Sequence, residues 1–175
     1  MQAMFAEFAC LSNFTFLTGA SHPEEYVTRA LELGIAAVAI ADENSVAGIV
    51  RAHAECRGIA RQVRERQAWN RQNTPIGPPP PEGIAPPLSF PIYDAPRLIP
   101  AARLIFSDAP EVIALPVNRA GWGSLTRLLS TGRLRAQKGS CLLHIADLLE
   151  FAEGLHLLLL PQTEHGLSGA GGWGP

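Results

Sequence analysis

The sequence is short of the features that would place it in a specialised class. Its net charge is only −2, from 14 basic and 16 acidic residues, with a pI near 6.2. No overall field therefore draws it to nucleic acid or to an anionic membrane, and any contact with DNA has to be local. Its three cysteines, Cys10, Cys56 and Cys141, are odd in number, far apart and free of Cys-x-x-Cys spacing. That excludes a disulfide framework and a zinc knuckle, and it fits a reducing, cytoplasmic setting. Long apolar runs are missing too: the longest, Leu155 to Leu160, is far too short to span a bilayer, so no membrane partner is expected. No basic segment leading into a long apolar one follows Met1, so no secretory signal is read there. What remains, 175 residues of which 47% are apolar and 17% charged, has the composition of a globular domain able to bury one core.

The order of patterns predicts an α/β fold. Phe5 to Leu11 reads as a short strand. Ser21-His22-Pro23-Glu24 then predicts a helix start, with Ser21 as N-cap and Glu24 closing a capping box. Tyr26, Val27, Ala30 and Leu31 recur at helical spacing up to Gly34, a C′ residue. Ile35 to Ala41 is a continuous apolar run of the kind found in a parallel strand covered on both faces, closed by Asp42-Glu43-Asn44. A second helix is predicted from about Val46 to Gln67.

From Trp69 to Pro100 the prolines, with Pro78 to Pro81 unbroken, predict an inserted extended loop that contains no helix. Beyond it, Ala102 to Phe106 and Glu111 to Leu115 read as strands, and Asn118 as the cap of a helix carrying Leu125, Leu128 and Leu129. Cys141 to His144 reads as a short strand, Ile145 to Ala152 as a helix and Leu155 to Leu160 as another buried strand. The glycine-rich stretch 162–175 shows no apolar periodicity and reads as a loop leading onward, so the expectation is one domain over residues 1–161 cut short of its last strands.

Ligands of parallel α/β folds gather at the carboxyl ends of strands, which makes Asp42 and Glu43 the most informative polar pair. They could bind a metal or act as acid and base. The plainer alternative is that Asp42 and Asn44 satisfy backbone donors at the turn into the next helix. The histidines at 22, 53, 144, 156 and 165 have no metal-binding spacing. Arg57, Arg61, Arg64, Arg66 and Arg71 could contact phosphates or complement the dipole of their helix. The interleaved Glu55 and Glu65, and the lack of an aromatic platform, favour the reading of a solvated face that complements the dipole. Ala120-Gly121-Trp122-Gly123 and the glycines of 169–174 read as turns.

The string from Phe8 to Glu25, FACLSNFTFLTGASHPEE, together with Ile35 to Ala41 and Asp42-Glu43-Asn44-Ser45-Val46-Ala47-Gly48, resembles the PHP (polymerase and histidinol phosphatase) domain that begins bacterial replicative DNA polymerase alpha subunits. With Leu115 to Leu129 added, it is most similar to the error-prone, damage-tolerance branch of that family. The resemblance implies a distorted (β/α)7 barrel, truncated before its last strands, with a Pro-rich insertion over 69–97. It also implies a metal cluster for phosphoester hydrolysis in active relatives, whose His-x-His motif, set before a hydroxyl residue, falls here on Ala9 and Leu11. Their Asp-His falls on Asp42-Glu43, and a later acidic ligand on Ala102. Alanine and leucine donate nothing to a metal, so the expectation is a vestigial cluster, with no catalytic residue and no metal or other cofactor in this chain.

Magnesium would then belong to a polymerase region outside the sequence. Partners would be the remainder of the polymerase chain, DNA reached through it, the sliding clamp and damage-response accessory proteins. Which residues of this chain touch nucleic acid is left open. The alternatives are an active PHP phosphoesterase, with ligands rebuilt from His53, His144 or His156, and a stand-alone interaction module.

Overall fold

The computed structural model describes residues 5–72 and 95–160. They fall into two compact units, one ending at Ala102 and the other starting at Arg103. The architecture is α/β. The described strands form two separate three-stranded sheets, and no closed barrel exists among the described residues.

In the first unit, β1 (Ala6–Cys10), β2 (Ala37–Ile40) and β3 (Arg97–Pro100) make a parallel sheet in the order β1-β2-β3. The small, apolar Ala-Val-Ala-Ile of β2 suits its central place, where every residue is buried. Pro100 ends an edge strand, where its missing N–H breaks no ladder. Helix α1 (Pro23–Glu32) packs on β2 and on α2 (Ile49–Gln72), which also packs on β3. Val27 and Ala30 of α1 and Ile49, Ala52 and Ile59 of α2 supply the buried faces. Arg51 of α2 pairs with Glu24 of α1.

Two predicted boundaries move. The cap of α1 is His22, not Ser21: Pro23 takes the first helical position, where a missing N–H costs nothing, and Glu25 rather than Glu24 accepts from the His22 N–H at 2.8 Å. The loop predicted from Trp69 starts later, because Ala68, Trp69 and the following polar residues continue α2 to Gln72. It also ends earlier, because Arg97–Pro100 is strand β3. The polyproline run, predicted as an extended insertion, lies outside the described residues.

In the second unit β4 (Ala102–Leu104), β5 (Val112–Pro116) and β6 (Leu155–Leu159) form a sheet in that order, β6 running antiparallel to β5 with Ala114 opposite Leu157. Helix α3 (Arg119–Arg135) packs on β5 and β6, and α4 (Ile145–Phe151) on α3, around Leu104, Ile113, Leu125, Leu128, Leu143 and Leu148. Asn118 caps α3 as predicted, its Oδ1 accepting from Gly121 N–H at 3.0 Å.

Gly121 and Gly123, read as a turn, are inside α3. Gly121 is needed because a Cβ there would fall 2.0 Å from the carbonyl oxygen of Gly154. Residues 141–144 form only an isolated bridge, Phe106 to Leu143, rather than a strand. The predicted burial of β6 also fails: it is the edge of its sheet, and Leu157, Leu158 and Leu159 are exposed among the described residues.

Candidate functional site

The sheet ladder itself places Asp42. Ala41 N–H donates to Cys10 O at 2.8 Å, so the pairing of β1 and β2 continues past Ile40 and brings the next residue against the loop that leaves β1. Asp42 is 1% exposed. Its Oδ1 accepts from Ser12 N–H at 2.7 Å and from Thr15 Oγ1 at 3.0 Å, and its Oδ2 accepts from Ser12 Oγ at 2.8 Å. The two hydroxyls are oriented from their other side. Phe14 N–H donates to Ser12 Oγ at 3.3 Å, and Glu43 N–H donates to Thr15 Oγ1 at 3.0 Å. Each hydroxyl thus accepts one backbone proton and passes its own to Asp42, the full complement a Ser or Thr side chain needs when buried. Among the described residues no basic side chain pairs with Asp42, so these donors carry its whole compensation for burial.

Glycine makes the arrangement possible at two points. A Cβ on Gly48 would lie 2.6 Å from Asp42 Oδ2 and 3.0 Å from Ser12 Oγ, and one on Gly19 would lie 2.0 Å from Ser12 O. The loop so fastened closes on itself through Thr15 N–H to Ser12 O at 2.8 Å and Gly19 N–H to Thr15 O at 3.0 Å. At its tip Phe16 and Leu17 stand almost fully in solvent, and Leu17 holds φ of 64°, a left-handed conformation that costs a leucine free energy.

The Asp42 side chain thus departs from the plainer of the two roles the sequence suggests for it. It caps no donor of the turn into α2, where Ser45 N–H uses the Asp42 carbonyl instead at 3.4 Å. Its oxygens are engaged by residues about thirty positions earlier in the chain. Sequence reasoning passed over Ser12, Thr15 and Gly48. The available signal was Ser12, the hydroxyl residue that follows the Ala9-Cys10-Leu11 positions of the motif.

The side chains at the other candidate positions take no part in this network. Ala9 and Leu11 line an open cleft of about 680 Å³ with Glu7, Cys10, Tyr26 and Arg29. Tyr26 Oη donates to Leu11 O at 2.8 Å across it. Burial, helped by the charge on Glu7, pushes the Cys10 thiol up to about 11, so almost none is thiolate at neutral pH. Glu43 is part-buried, and its carboxylate has no hydrogen-bond partner among the described residues. Ala102 is fully buried at the start of β4. Of the five motif positions only Asp42 and Glu43 carry metal-binding atoms. Among the described residues no three His, Cys, Asp or Glu side chains are grouped to hold one ion.

The described histidines serve loops and surfaces. His22 Nδ1 is 2.8 Å from Asn13 Nδ2, His53 is exposed on α2 and His156 is exposed on β6. His144 lies 2.8 Å from Ser107 Oγ and 3.6 Å from Asp108, but both meet the same ring atom, Nδ1. A hydrolytic triad needs its serine and its acid on opposite nitrogens. Here the contacts tie the 106–108 turn to the start of α4, helped by Ile145 N–H donating to Asp108 at 2.9 Å. His165 lies outside the described residues.

With this geometry established, similarity to known proteins becomes informative. The PHP domain family matches residues 8–167. The chain belongs to the PHP domain family. An error-prone DNA polymerase of Ruegeria pomeroyi is 46% identical over 168 residues, covering 90% of this chain and 15% of that protein. Error-prone DNA polymerases of Rhodopseudomonas palustris strain BisB5 and Rhizobium meliloti are 40% and 42% identical, each over 90% of this chain and 11% of their own length. The chain thus spans between 11% and 15% of the curated relatives it matches here. A solved structure of a proposed metal-dependent phosphoesterase from Bifidobacterium adolescentis overlaps 75% of this chain and 34% of its own, at a TM-score of 0.46 and 16% identity. Among the described residues no helix is long and apolar enough to cross a membrane.

Proposed function

We propose that this chain is the N-terminal, non-catalytic PHP domain of an error-prone DNA polymerase acting in translesion synthesis and DNA repair. The relatives' names support the polymerase context. The non-catalytic reading rests chiefly on one observation: both oxygens of Asp42 are engaged by Ser12 and Thr15. A metal would have only the one lone pair left on Oδ2, in a site 1% exposed, and would find no side-chain donor at Ala9, Leu11 or Ala102. The residues present do not fit the cluster of active relatives, and Asp42 acts as a bracket that fixes the Ser12–Gly19 loop. Glu43 alone offers a hard oxygen site too sparse for more than a hydrated ion.

On this reading magnesium serves the polymerase region of the whole protein, in the cytoplasm. The domain's partners are the rest of that chain, DNA through it, the sliding clamp and damage-response accessory proteins.

The test is elemental analysis of protein purified without chelator, with nitrophenyl phosphate turnover measured across divalent metals. Substoichiometric metal and no turnover are expected. Near-unity metal with turnover abolished by Asp42→Ala would establish an active phosphoesterase instead. Introducing Ala9→His, Leu11→His and Glu43→His together should raise metal affinity if these positions converge, and no gain would withdraw the motif assignment.

A further inference from the structure

Helix α2 carries His53, Arg57, Arg61 and Arg64 along one exposed stripe, where they line a shallow concavity of about 470 Å³ together with Ala54 and Gly58. The dipole of α2 does not explain them. Its effect is confined to the last turn, and α2 runs on to Gln72, so these arginines are mid-helix. Nor do acidic neighbours neutralise them. Glu55 turns towards α1, where it accepts from Thr28 Oγ1, and among the described residues Glu65 pairs only with Arg61, at 3.9 Å with both side chains more than two-thirds exposed. Such a pair is nearly worthless in water. Among the described residues Arg57 and Arg64 have no side-chain partner.

Gly58 is a second and independent observation. A glycine inside a helix destabilises it relative to alanine, and here no internal contact requires one, because nothing lies within 4 Å of where its Cβ would be. The residue leaves a notch of bare backbone between the arginines, the feature expected where another molecule's backbone approaches closely.

Resting on the polymerase reading above, we propose that this stripe is a contact for the sugar-phosphate backbone of the duplex the polymerase holds. Arg57 to Arg64 covers about 10 Å of helix axis, the rise of about three nucleotides of one strand. No Phe, Tyr or Trp side chain lines the concavity, and its one imidazole, His53, makes no stacking platform, which suits phosphates rather than stacked bases. The contact is thus independent of sequence, and it is local in a chain whose net charge of −2 offers no general attraction.

The test uses the polymerase chain carrying this domain and a primer–template duplex, with binding followed by fluorescence anisotropy over a salt series. Replacing Arg57, Arg61 and Arg64 together by Gln should lower the slope of log K against log salt by about 2 to 3, at about 0.9 per phosphate contact. It should also weaken binding at least ~10-fold and raise the DNA concentration needed for half-maximal extension by a similar factor. Gly58→Ala should raise the melting temperature and yet weaken DNA binding, a combination that a merely solvated helix face does not produce.

An unchanged slope in the triple variant overturns the proposal. So does competition by polyglutamate as effective as that by DNA, which would mark a surface for acidic polypeptides. A parent chain that extends no primer sinks the polymerase reading instead, whatever its slope.

Discussion

Replacing Asp42 by alanine removes three hydrogen bonds at once and strands their donors in a buried place: Ser12 N–H, Ser12 Oγ and Thr15 Oγ1. Each buried donor left without a partner costs about 1 to 3 kcal/mol. The hydroxyls can turn to find weaker partners while the Ser12 amide cannot, so the three do not add fully, and the expected loss is about 3 to 5 kcal/mol. For a chain of this size that is a fall in melting temperature of roughly 10 °C, at about 2 to 4 °C per kcal/mol. Asp42→Asn should cost less, about 1 to 2 kcal/mol, because one amide oxygen can keep the two Oδ1 bonds while the amide donates to Ser12 Oγ.

The assay is thermal unfolding followed by circular dichroism, with and without chelator, on the parent, Asp42→Ala, Ser12→Ala and the double variant. The bracket reading requires Ser12→Ala to be costly in the parent and nearly neutral in Asp42→Ala, since the side-chain partner is already gone. It also requires chelator to leave the parent's midpoint unmoved. If Asp42→Ala melts within about 2 °C of the parent, or chelator lowers the parent as much as the substitution does, Asp42 is a ligand or a bystander and the reasoning fails.

Gly48→Ala should destabilise by about 1 to 3 kcal/mol through the clash with Asp42 Oδ2, and the loss should shrink in the Asp42→Ala background, read from the same melts. In the second unit, Arg135 grips Asp147 with two hydrogen bonds, 2.6 and 2.8 Å, and holds its carboxyl at about 2 against an ordinary 3.8. A depressed folded value means the stabilisation is complete above pH 3.8 and is lost as pH falls towards 2. The ceiling is about 2 kcal/mol, reduced to about 1 by the solvent around the part-exposed Arg135. Asp147→Asn should therefore flatten the acid limb of a stability-against-pH curve, and an unaltered limb would contradict the pairing. Leu17→Gly should leave stability unchanged or raise it by up to about 1 kcal/mol, because the leucine's left-handed backbone is relieved and a side chain 90% exposed loses no burial.

Local chemistry was legible wherever one residue decided the outcome. The Ala-Val-Ala-Ile run of β2, the Asn118 cap and the helix end at Gly34, with its φ of 67°, follow from rules that need no distant partner. The misplaced elements needed more. Ser21 satisfies a capping pattern as well as His22 does, and only the geometry of Pro23 at the first helical position chooses between them. Gly121 looks like a turn because glycine is read by its backbone freedom. In this structure it is present for its missing side chain, which the Gly154 backbone approaches across the sheet side of α3. The exposure of β6 depends on which strand ends the sheet, and an apolar run cannot say so.

The site follows the same division, and more sharply. That a carboxylate ends β2 is plain from the order of residues, which leaves it two roles, metal or acid-base chemistry and the plainer one of satisfying donors at the turn into α2. Its partners arrive from the loop after β1, and two of the three donors are hydroxyls, the residue types that sequence patterns treat as interchangeable surface. With no basic side chain paired to it among the described residues, the carboxylate cannot remain buried without other hydrogen-bond donors. Ser12 and Thr15 supply them, each having first taken a backbone proton in return. The buried aspartate is thus an argument about loop structure, and the place to look for its role is the conformation of residues 12–19.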